Sequence, residues 1–258
     1  MDNFIELDSI DLVLALGIMG IAIALSLWQR LGLERQLAFS AVRSLLQLII
    51  VGYILDLVFT LNNPLAVLGI LGIMIAIASI VARNRIDKKI KGLLPLVLLS
   101  LLASSAFTLG YTILLIVQPV TWYEPQYVIP LAGMLFGNAM NAASLAGDRL
   151  VNTIRQNRLV IETHLSLGAT PQQAIANYQR EAIATSLIPT LNNMMVVGLV
   201  SLPGMFTGQV LSGANPRDAA SYQILILFAI VLTNLLVAVL VTQGIYRYFF
   251  NQDLQLID

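Results

Sequence analysis

Long apolar runs alternate with short polar stretches along the chain. A helix needs about 20 mostly apolar residues to cross a bilayer, and seven runs come close to that length or exceed it. The sixth run is interrupted by the pair Pro203-Gly204. The seven runs are Ile10–Trp28, Leu37–Phe59, Pro64–Ala82, Gly92–Val117, Tyr127–Ala146, Ile183–Leu211 and Tyr222–Phe250. The pattern predicts an all-α, polytopic integral membrane protein with about seven transmembrane helices.

The positions of the basic residues predict how these helices are oriented. Lys and Arg are retained on the cytoplasmic side of membrane proteins. All but one of the 14 basic residues lie in or near the connections after the first, third and fifth runs, or near the C-terminus; the exception is Arg217. With seven crossings, this bias places the N-terminus outside and the C-terminus in the cytoplasm.

The composition excludes several classes of protein. Hydrophobic residues make up 58% of the 258 residues and charged residues 11%, with a mean hydropathy of +0.83, whereas soluble domains are about 25% charged. A water-soluble enzyme, a disordered chain and a nucleic-acid-binding module are therefore excluded. The absence of Cys and the single His remove thiol chemistry and a His-based metal cage.

One long connection stands out in an otherwise compact arrangement of spans. It covers residues 147–181 and is cytoplasmic in the predicted topology. Gly168 is suited to the left-handed conformation after a helix end. Thr170 predicts an N-cap, with Pro171 at the first helical position and Gln173 completing a capping box. We expect a short helix from Pro171 to Arg180, which is either an ordinary interfacial helix–turn–helix or a docking element.

Amide and thioether side chains lie inside the fifth and sixth runs, where polar groups cost about 1–3 kcal/mol unless they have partners. Two interpretations stay open: hydrogen-bonded contacts between helices, or a pathway for a partly dehydrated divalent metal ion. No residue is assigned as a tight metal ligand. The pathway candidates are Asn138, Asn141, Asn192, Asn193, Met194, Met195, Met205 and Gln209.

Proline and glycine mark possible hinges and close contacts. Pro189 is expected to bend the start of the sixth span, and Pro203-Gly204 to break it near its outer end, as a hinge or as an outer-leaflet cap. Two G-x3-G strings, Gly133–Gly137 and Gly204–Gly208, allow close approach of two helices.

The chain lacks the motif that binds the phosphates of ATP. A P-loop needs a Gly-rich turn followed by a Lys. The only lysines are Lys88, Lys89 and Lys91, and none lies in a G-x4-G-K-S/T string. We therefore expect a transport subunit that is not itself an enzyme.

Three segments carry a family resemblance. GMLFGNAMNAASLAGDR (Gly133–Arg149), ETHLSLGATPQQA (Glu162–Ala174) and the run Ile188–Pro216 resemble the FetB-like iron-export ABC permeases, a family to which plant aluminium-tolerance membrane proteins also belong. The second segment also resembles the E-A-A-x3-G coupling motif of bacterial import permeases, with Glu162 and Gly168 at the matching spacing and both alanines missing.

The resemblance implies one membrane permease domain over residues 1–258, with residues 147–181 as its cytoplasmic coupling segment. It implies an exporter of iron or a similar metal cation in the plasma (inner) membrane. It also implies a homodimer with one G-x3-G string at its interface, and a separate ABC ATP-binding subunit that holds ATP-Mg, so that this chain binds no cofactor. The coupling residues would be Glu162, Gly168, Ala169, Thr170, Pro171, Gln172, Gln173 and Ala174.

Other functions remain open at this point. They are a stand-alone secondary carrier or channel, and an ABC permease for a non-metal cargo such as a sugar nucleotide. The acids Asp56, Asp148 and Glu181 lie near span ends, which disfavours a proton-coupled carrier. His164 lies in a cytoplasmic connection, which disfavours an intramembrane hydrolase.

Overall fold

The computed structural model of the protein describes residues 8–61, 63–251 and 255–256. Over these residues the chain forms nine α-helices and no β-strand, so the all-α fold class is confirmed. A π-helical turn, Thr112–Val117, extends α4, and a 3-10 turn, Tyr246–Tyr248, follows α9. The helices are α1 (Ser9–Trp28), α2 (Glu34–Leu61), α3 (Pro64–Ile86), α4 (Leu93–Tyr111), α5 (Pro125–Gln156), α6 (Arg158–Ser166), α7 (Pro171–Val196), α8 (Gly204–Leu211) and α9 (Pro216–Ile245).

The helices α1 and α2 form a compact unit of their own. Ser26 is buried near the end of α1, and its hydroxyl donates to Glu34 Oε2 at the start of α2 at 3.3 Å. Gly32 turns the chain between them with a φ of +71°. Most of the aliphatic side chains of both helices are exposed, as expected for helices that contact lipid or other membrane helices.

The helices α3 to α9 form the second unit, which is organised around α5. α5 packs against α3, α4, α7 and α9. Small residues allow this crowding: a Cβ on Gly147 of α5 would lie 2.6 Å from Ile86 Cδ1 of α3. Its inner face also carries fully buried alanines, namely Ala132, Ala139, Ala143 and Ala146. The core of the unit therefore lies along α5.

Five helical segments of the described chain are long and apolar enough to cross a membrane. They cover all or nearly all of the second, third, fourth, fifth and seventh predicted runs. The apolar part of α1, Val13–Trp28, is shorter. The five segments are Glu34–Leu61, Pro64–Ile86, Leu93–Val117, Pro125–Gln156 and Pro216–Tyr248.

The sixth predicted run is wrong as a single helix broken at Pro203-Gly204. α7 already ends at Val196, and Gly198 then adopts a φ of +80°. The Gly198 N–H donates to the Ser201 carbonyl at 2.9 Å, which closes a turn. Pro203 next caps a separate short helix, α8. The helix ends because Val197 is already extended, with a ψ of 135°, and the left-handed Gly198 then turns the chain away from the helix.

The expected end of the short helix at Arg180 is also wrong. α7 runs without interruption from Pro171 to Val196, through Arg180 and Glu181. Neither glycine nor proline occurs between Pro171 and Pro189, so nothing in the sequence breaks the helix there. The predicted cytoplasmic helix and the start of the predicted sixth span are thus parts of one continuous helix.

Basic residues collect at one end of the second unit, here called the basic end. Arg155 Nη2 of α5 donates to Asp87 Oδ2, just after α3, at 2.7 Å. Tyr248 Oη, after α9, donates to the Gly92 carbonyl, just before α4, at 2.9 Å. The basic end therefore joins the ends of α3, α5 and α9 to the start of α4. Its basic residues are Arg83, Arg85, Lys88, Lys89, Lys91, Arg149, Arg155, Arg158, Arg180 and Arg247.

Candidate functional site

The first candidate site is a bend between α6 and α7 at the basic end, here called the elbow (residues 167–170). Gly168 has a φ of +91°. The Ala169 N–H donates to the His164 carbonyl at 3.0 Å, which closes the end of α6. The left-handed glycine predicted at this position is confirmed. A residue with a Cβ would be strained there by the backbone alone, since nothing lies within 4 Å of the site of that Cβ.

The predicted capping box at the start of α7 is also confirmed. Gln173 N–H donates to Thr170 Oγ1 at 3.3 Å, and Thr170 N–H donates to Gln173 Oε1 at 2.9 Å. Pro171 occupies the first helical position. These reciprocal bonds satisfy two backbone donors that the helix cannot satisfy itself, so the direction of the chain into α7 is fixed locally.

Several predicted coupling residues attach the elbow to the helical bundle. Pro171 and Ala174 are buried. Gln172 Nε2 donates to Tyr246 Oη, beyond the end of α9, at 2.9 Å. Ile161 of α6 is fully buried in the core. These contacts make α6, the elbow and the first turn of α7 part of one packed body.

The other predicted coupling residues line a groove of about 740 Å³. Glu162, Gly168, Ala169 and Thr170 form one part of its wall, together with Leu165 and Ser166. Gln255 and Leu256 near the C-terminus complete it. Sequence reasoning missed these last two residues because the terminal polar stretch carries no signal for its position; an isolated bridge from Phe250 to Leu256 returns the chain to the groove.

α6 and the first residue of the elbow expose large apolar side chains near this groove. Leu159 and Leu167 are each 80% exposed. Glu162, between them in sequence, accepts a hydrogen bond from Arg158 Nε at 2.8 Å. The helix therefore shows leucines on its outer side, although its inner side is buried through Ile161. Such a surface, at the end of a membrane protein, can bind an apolar partner.

The second candidate site is the face formed by α5 and α7, here called the translocation face after the pathway residues predicted to lie on it. Asn138 Nδ2 donates to the Met134 carbonyl of its own helix at 2.9 Å. Asn141 is exposed, and its Oδ1 accepts from Arg85 Nη1 of α3 at 2.9 Å. Sequence reasoning missed Arg85, which it assigned only to the basic connection.

Asn141 lines an open cleft at the basic end of the translocation face. The cleft also includes Asp148 of α5 and Pro189 of α7. Asp148 Oδ1 accepts from Asn152 Nδ2 at 2.9 Å. The structure thus brings one predicted pathway residue and one predicted hinge residue to the same opening.

The part of this face that belongs to α7 packs beside the middle of α9. Asn234 Nδ2 of α9 donates to Thr190 Oγ1 at 2.8 Å, and Asn192 and Asn193 follow Thr190 directly. Both amides are exposed, and neither forms a hydrogen bond with any described residue. Met195 is 77% exposed, so the cluster presents amide and thioether groups together.

Buried amides behind the face were missed by sequence reasoning. Asn234 is 1% exposed, and its Oδ1 has no hydrogen-bond partner within the described chain. Gln223 Oε1, also on α9, lacks a partner in the same way, and so does Oε1 of Gln209, the half-buried pathway residue that was predicted and that lies on α8. The only sequence signal for these residues is that amide side chains are rare inside apolar runs.

The remaining predicted positions are spread over several helices. Met194, Met205 and Gln209 are half-buried, the last two on α8, which packs against α9. A Cβ on Gly133 would lie 3.2 Å from Met74 Cε of α3. Nothing lies within 4 Å of the corresponding site on Gly137, Gly204 or Gly208. Within the described residues, no three His, Cys, Asp or Glu side chains form a group that could hold a metal ion.

Comparison with known proteins now places the chain in a family. A family model described as "Uncharacterised protein family (UPF0014)" matches residues 9–250. The chain belongs to the UPF0014 family of membrane proteins. As a member of UPF0014 it is an all-α, polytopic membrane protein, and the resemblance found in the sequence is confirmed.

Relatives of this UPF0014 protein cover nearly its whole length. A UPF0014 membrane protein of Synechocystis is 58% identical over 253 residues, 98% of each chain. The "Probable iron export permease protein FetB" of Escherichia coli is 36% identical over 248 residues, 96% of this chain and 94% of the relative. "Protein ALUMINUM SENSITIVE 3" of Arabidopsis thaliana is 35% identical over 247 residues, 94% of this chain and 87% of the relative. No solved structure matches the chain.

Proposed function

We propose that this UPF0014 protein is the membrane permease subunit of an ABC exporter that moves iron or a similar metal cation out of the cytoplasm. A separate ATP-binding subunit, which carries ATP and Mg²⁺, binds at the basic end and drives transport. The permease works as a homodimer in the plasma membrane, with the basic end in the cytoplasm. The name of the Escherichia coli relative supports the cargo class.

The observation that carries this proposal is the exposed apolar surface of α6 beside the elbow. Full burial of a leucine side chain contributes about 1.5–3 kcal/mol, so Leu159 and Leu167 give a partner protein a large gain on docking. The polar groups of the elbow are already satisfied by the capping box. A partner that binds α6 therefore binds a helix whose position is already fixed before docking.

α7 connects this docking surface to the translocation face. The helix is continuous from the elbow to Val196 and carries Asn192 and Asn193 near its far end. Pro189 lies between the elbow and these two asparagines and has no N–H, so the Thr185 carbonyl lacks its usual helical partner and the helix can bend there. Movement of the elbow would shift the face as a rigid body hinged at Pro189.

The chemistry of the translocation face suits transient contact with a metal cation. Amide oxygens of Asn192 and Asn193 replace part of the hydration shell, and the thioether of Met195 adds a soft donor. These donors are neutral, so the cation is held weakly and can leave. Exposed amides are costly in lipid. A second copy of the chain, facing this one, would shield them and enclose the route, with the open Gly204–Gly208 surface of α8 as the candidate close contact.

Purification and transport measurements test the proposal. The tagged protein should co-purify with an ATP-binding subunit, and the reconstituted complex should hydrolyse ATP faster with Fe²⁺ than without it. Leu159→Ser combined with Leu167→Ser should release that subunit, whereas Thr163→Ala on the same exposed face should keep it. Metal transport by the permease alone, without ATP, would instead establish a stand-alone carrier.

A further inference from the structure

The largest cleft of the basic end lies outside both candidate sites. It has a volume of about 1110 Å³ and lies between the α3–α4 connection, the end of α5 and the 3-10 turn after α9. Its lining residues are Ile86, Asp87, Lys89, Ile90, Lys91, Arg155, Arg158, Tyr248 and Phe249. Four of these are cationic and one is acidic, so the cleft favours an anion and repels a metal cation.

The acidic residue of the cleft is already fully engaged. Asp87 Oδ2 accepts from Arg155 Nη2 at 2.7 Å, and Asp87 Oδ1 accepts from the Lys89 backbone N–H at 2.7 Å. Burial raises the pKa of this carboxyl group, but these two hydrogen bonds and the nearby cations together keep it below its ordinary value of 3.8. Asp87 therefore stays ionised; it bonds directly to Arg155, whereas it attracts the Lys89 ammonium group only through space.

Two cations of the cleft remain uncommitted, and a third is oriented. The ammonium groups of Lys89 and Lys91 are exposed and form no hydrogen bond or short ion pair with any residue that the structure describes. The Arg155 guanidinium lies 5.9 Å above the centroid of the buried Phe249 ring. It is fixed by this ring and by Asp87, and most of its N–H donors remain available to an anion.

The depth of the cleft indicates where the anion comes from. The connection between α3 and α4 contains six residues, from Asp87 to Gly92, and both flanking helices are apolar spans. Such a short connection stays at the level of the lipid headgroups. Phe249 is buried and cannot stack on a nucleobase, and the ring of Tyr248 is half-buried, with its hydroxyl held by the Gly92 carbonyl.

We propose that this cleft binds the phosphate of an anionic phospholipid, with Lys89 and Lys91 as the phosphate contacts and Arg155 as a preorganised third cation. The half-buried side chain of Ile90 lines the same cleft and would contact the lipid glycerol and first acyl carbons, whereas Ile86 is buried behind it. The proposal requires only a membrane protein with this basic end, so it stands independently of the cargo and of the ATP-binding subunit.

Lipid binding to the purified full-length protein tests the proposal. After delipidation in a neutral detergent, dioctanoyl phosphatidylglycerol should bind and raise the thermal midpoint, and dioctanoyl phosphatidylcholine should not. Lys89→Gln and Lys91→Gln should each weaken binding about fivefold, the effect of one basic residue at an anionic membrane surface. Lys88→Gln is the matched control, because it removes the same charge from the same connection outside the cleft, and it should bind like the parent protein.

Two results would overturn the proposal. Equal weakening by all three lysine variants would show diffuse surface charge without a specific cleft. Inorganic phosphate that stabilises the protein as strongly as phosphatidylglycerol, at equal concentration, would show that a soluble phosphate compound is the ligand. All three lysines are exposed, so the variants fold and each outcome can be read.

Discussion

The elbow and the translocation face expose opposite kinds of side chain, and each kind is unsuited to its surroundings. At the basic end, α6 exposes Leu159 and the elbow exposes Leu167. Near the middle of the bundle, α7 exposes Asn192 and Asn193. Leucine is favoured in lipid and asparagine in water. The two regions therefore expose side chains that a partner would cover: under the proposed function, the ATP-binding subunit at the elbow and a second permease around a water-filled route at the face.

The two regions also differ in how their polar groups are satisfied. At the elbow, Thr170 and Gln173 bond to each other's backbone within one turn. Behind the face, Thr190 finds its partner Asn234 on another helix. The elbow is therefore fixed by local chemistry, and the α7–α9 contact by tertiary packing. This difference predicts that substitutions in the two regions affect different measurements.

The largest effect is expected from breaking the start of α7. In Ala174→Pro the bond from the residue 174 N–H to the Thr170 carbonyl, 2.9 Å long, is lost, at a cost of about 3 kcal/mol. ATP hydrolysis by the complex should lose its stimulation by metal, while the protein still inserts and dimerises. Ala174→Ser keeps the N–H and should retain coupling. Unchanged stimulation in the proline variant would show that the first turn of α7 does not couple metal transport to ATP hydrolysis.

The next effect separates the exposed amides from the buried one. Asn192→Leu should reduce metal transport about tenfold with little change in the free energy of unfolding, because its side chain has no partner within the described chain. Asn234→Leu should lower the free energy of unfolding by about 1 kcal/mol, because its bond to Thr190 is lost. Transport assays and thermal unfolding in the same lipid check both. Normal transport by Asn192→Leu would assign this asparagine to helix contacts.

A smaller effect is expected at the elbow glycine. Gly168→Val should lower coupled ATP hydrolysis severalfold, because a branched residue at a φ of +91° costs about 1–2 kcal/mol. Gly168→Asn should be close to the parent, since asparagine tolerates this conformation. ATPase rates of the two variants check the prediction. Equal losses would mean that the elbow is sensitive to side-chain bulk and that its conformation does not matter.

The smallest effect concerns Asp87 and pH. Its pKa lies below 3.8 in the folded protein, so its stabilising contribution is complete above that pH and is lost as the pH falls through the lower folded value. Asp87→Asn should therefore lower stability by about 1 kcal/mol or less, by the same amount at pH 8 and pH 5. The difference from the parent should shrink below pH 3.8. Thermal midpoints over this range check it; a difference that disappears between pH 8 and pH 5 would contradict it.

The sequence predicted the features that are determined within a few residues. The left-handed Gly168 and the capping box of Thr170 and Gln173 follow from backbone chemistry, so they could be predicted without knowledge of the rest of the fold. The apolar runs likewise predicted the helices, because length and hydropathy determine which segments can cross a bilayer. The prediction of where α7 ends was wrong, because Gly198 resembles any other glycine of an apolar run until its φ is known.

The features that depend on two distant segments could not be predicted. The partner of Thr190 is 44 residues away along the chain, and Arg85 meets Asn141 from another helix. Gln255 and Leu256 return to the elbow groove from the C-terminus. Helix periodicity indicates which residues share a face of one helix, but it does not indicate which helices pack together. The sequence could therefore identify the amides as unusual for an apolar run, but it could not identify their partners.

One labelling measurement tests most directly whether the elbow moves the translocation face. The chain contains no Cys, so Asn192→Cys introduces a single thiol for a water-soluble maleimide in the reconstituted complex. Phe228→Cys, on the exposed apolar side of α9, is the lipid-facing control. The account predicts that the thiol at position 192 reacts, that its rate changes severalfold when ATP is added, and that Ala174→Pro removes this change. A thiol as protected as the control, or a rate that ATP does not alter, would contradict it.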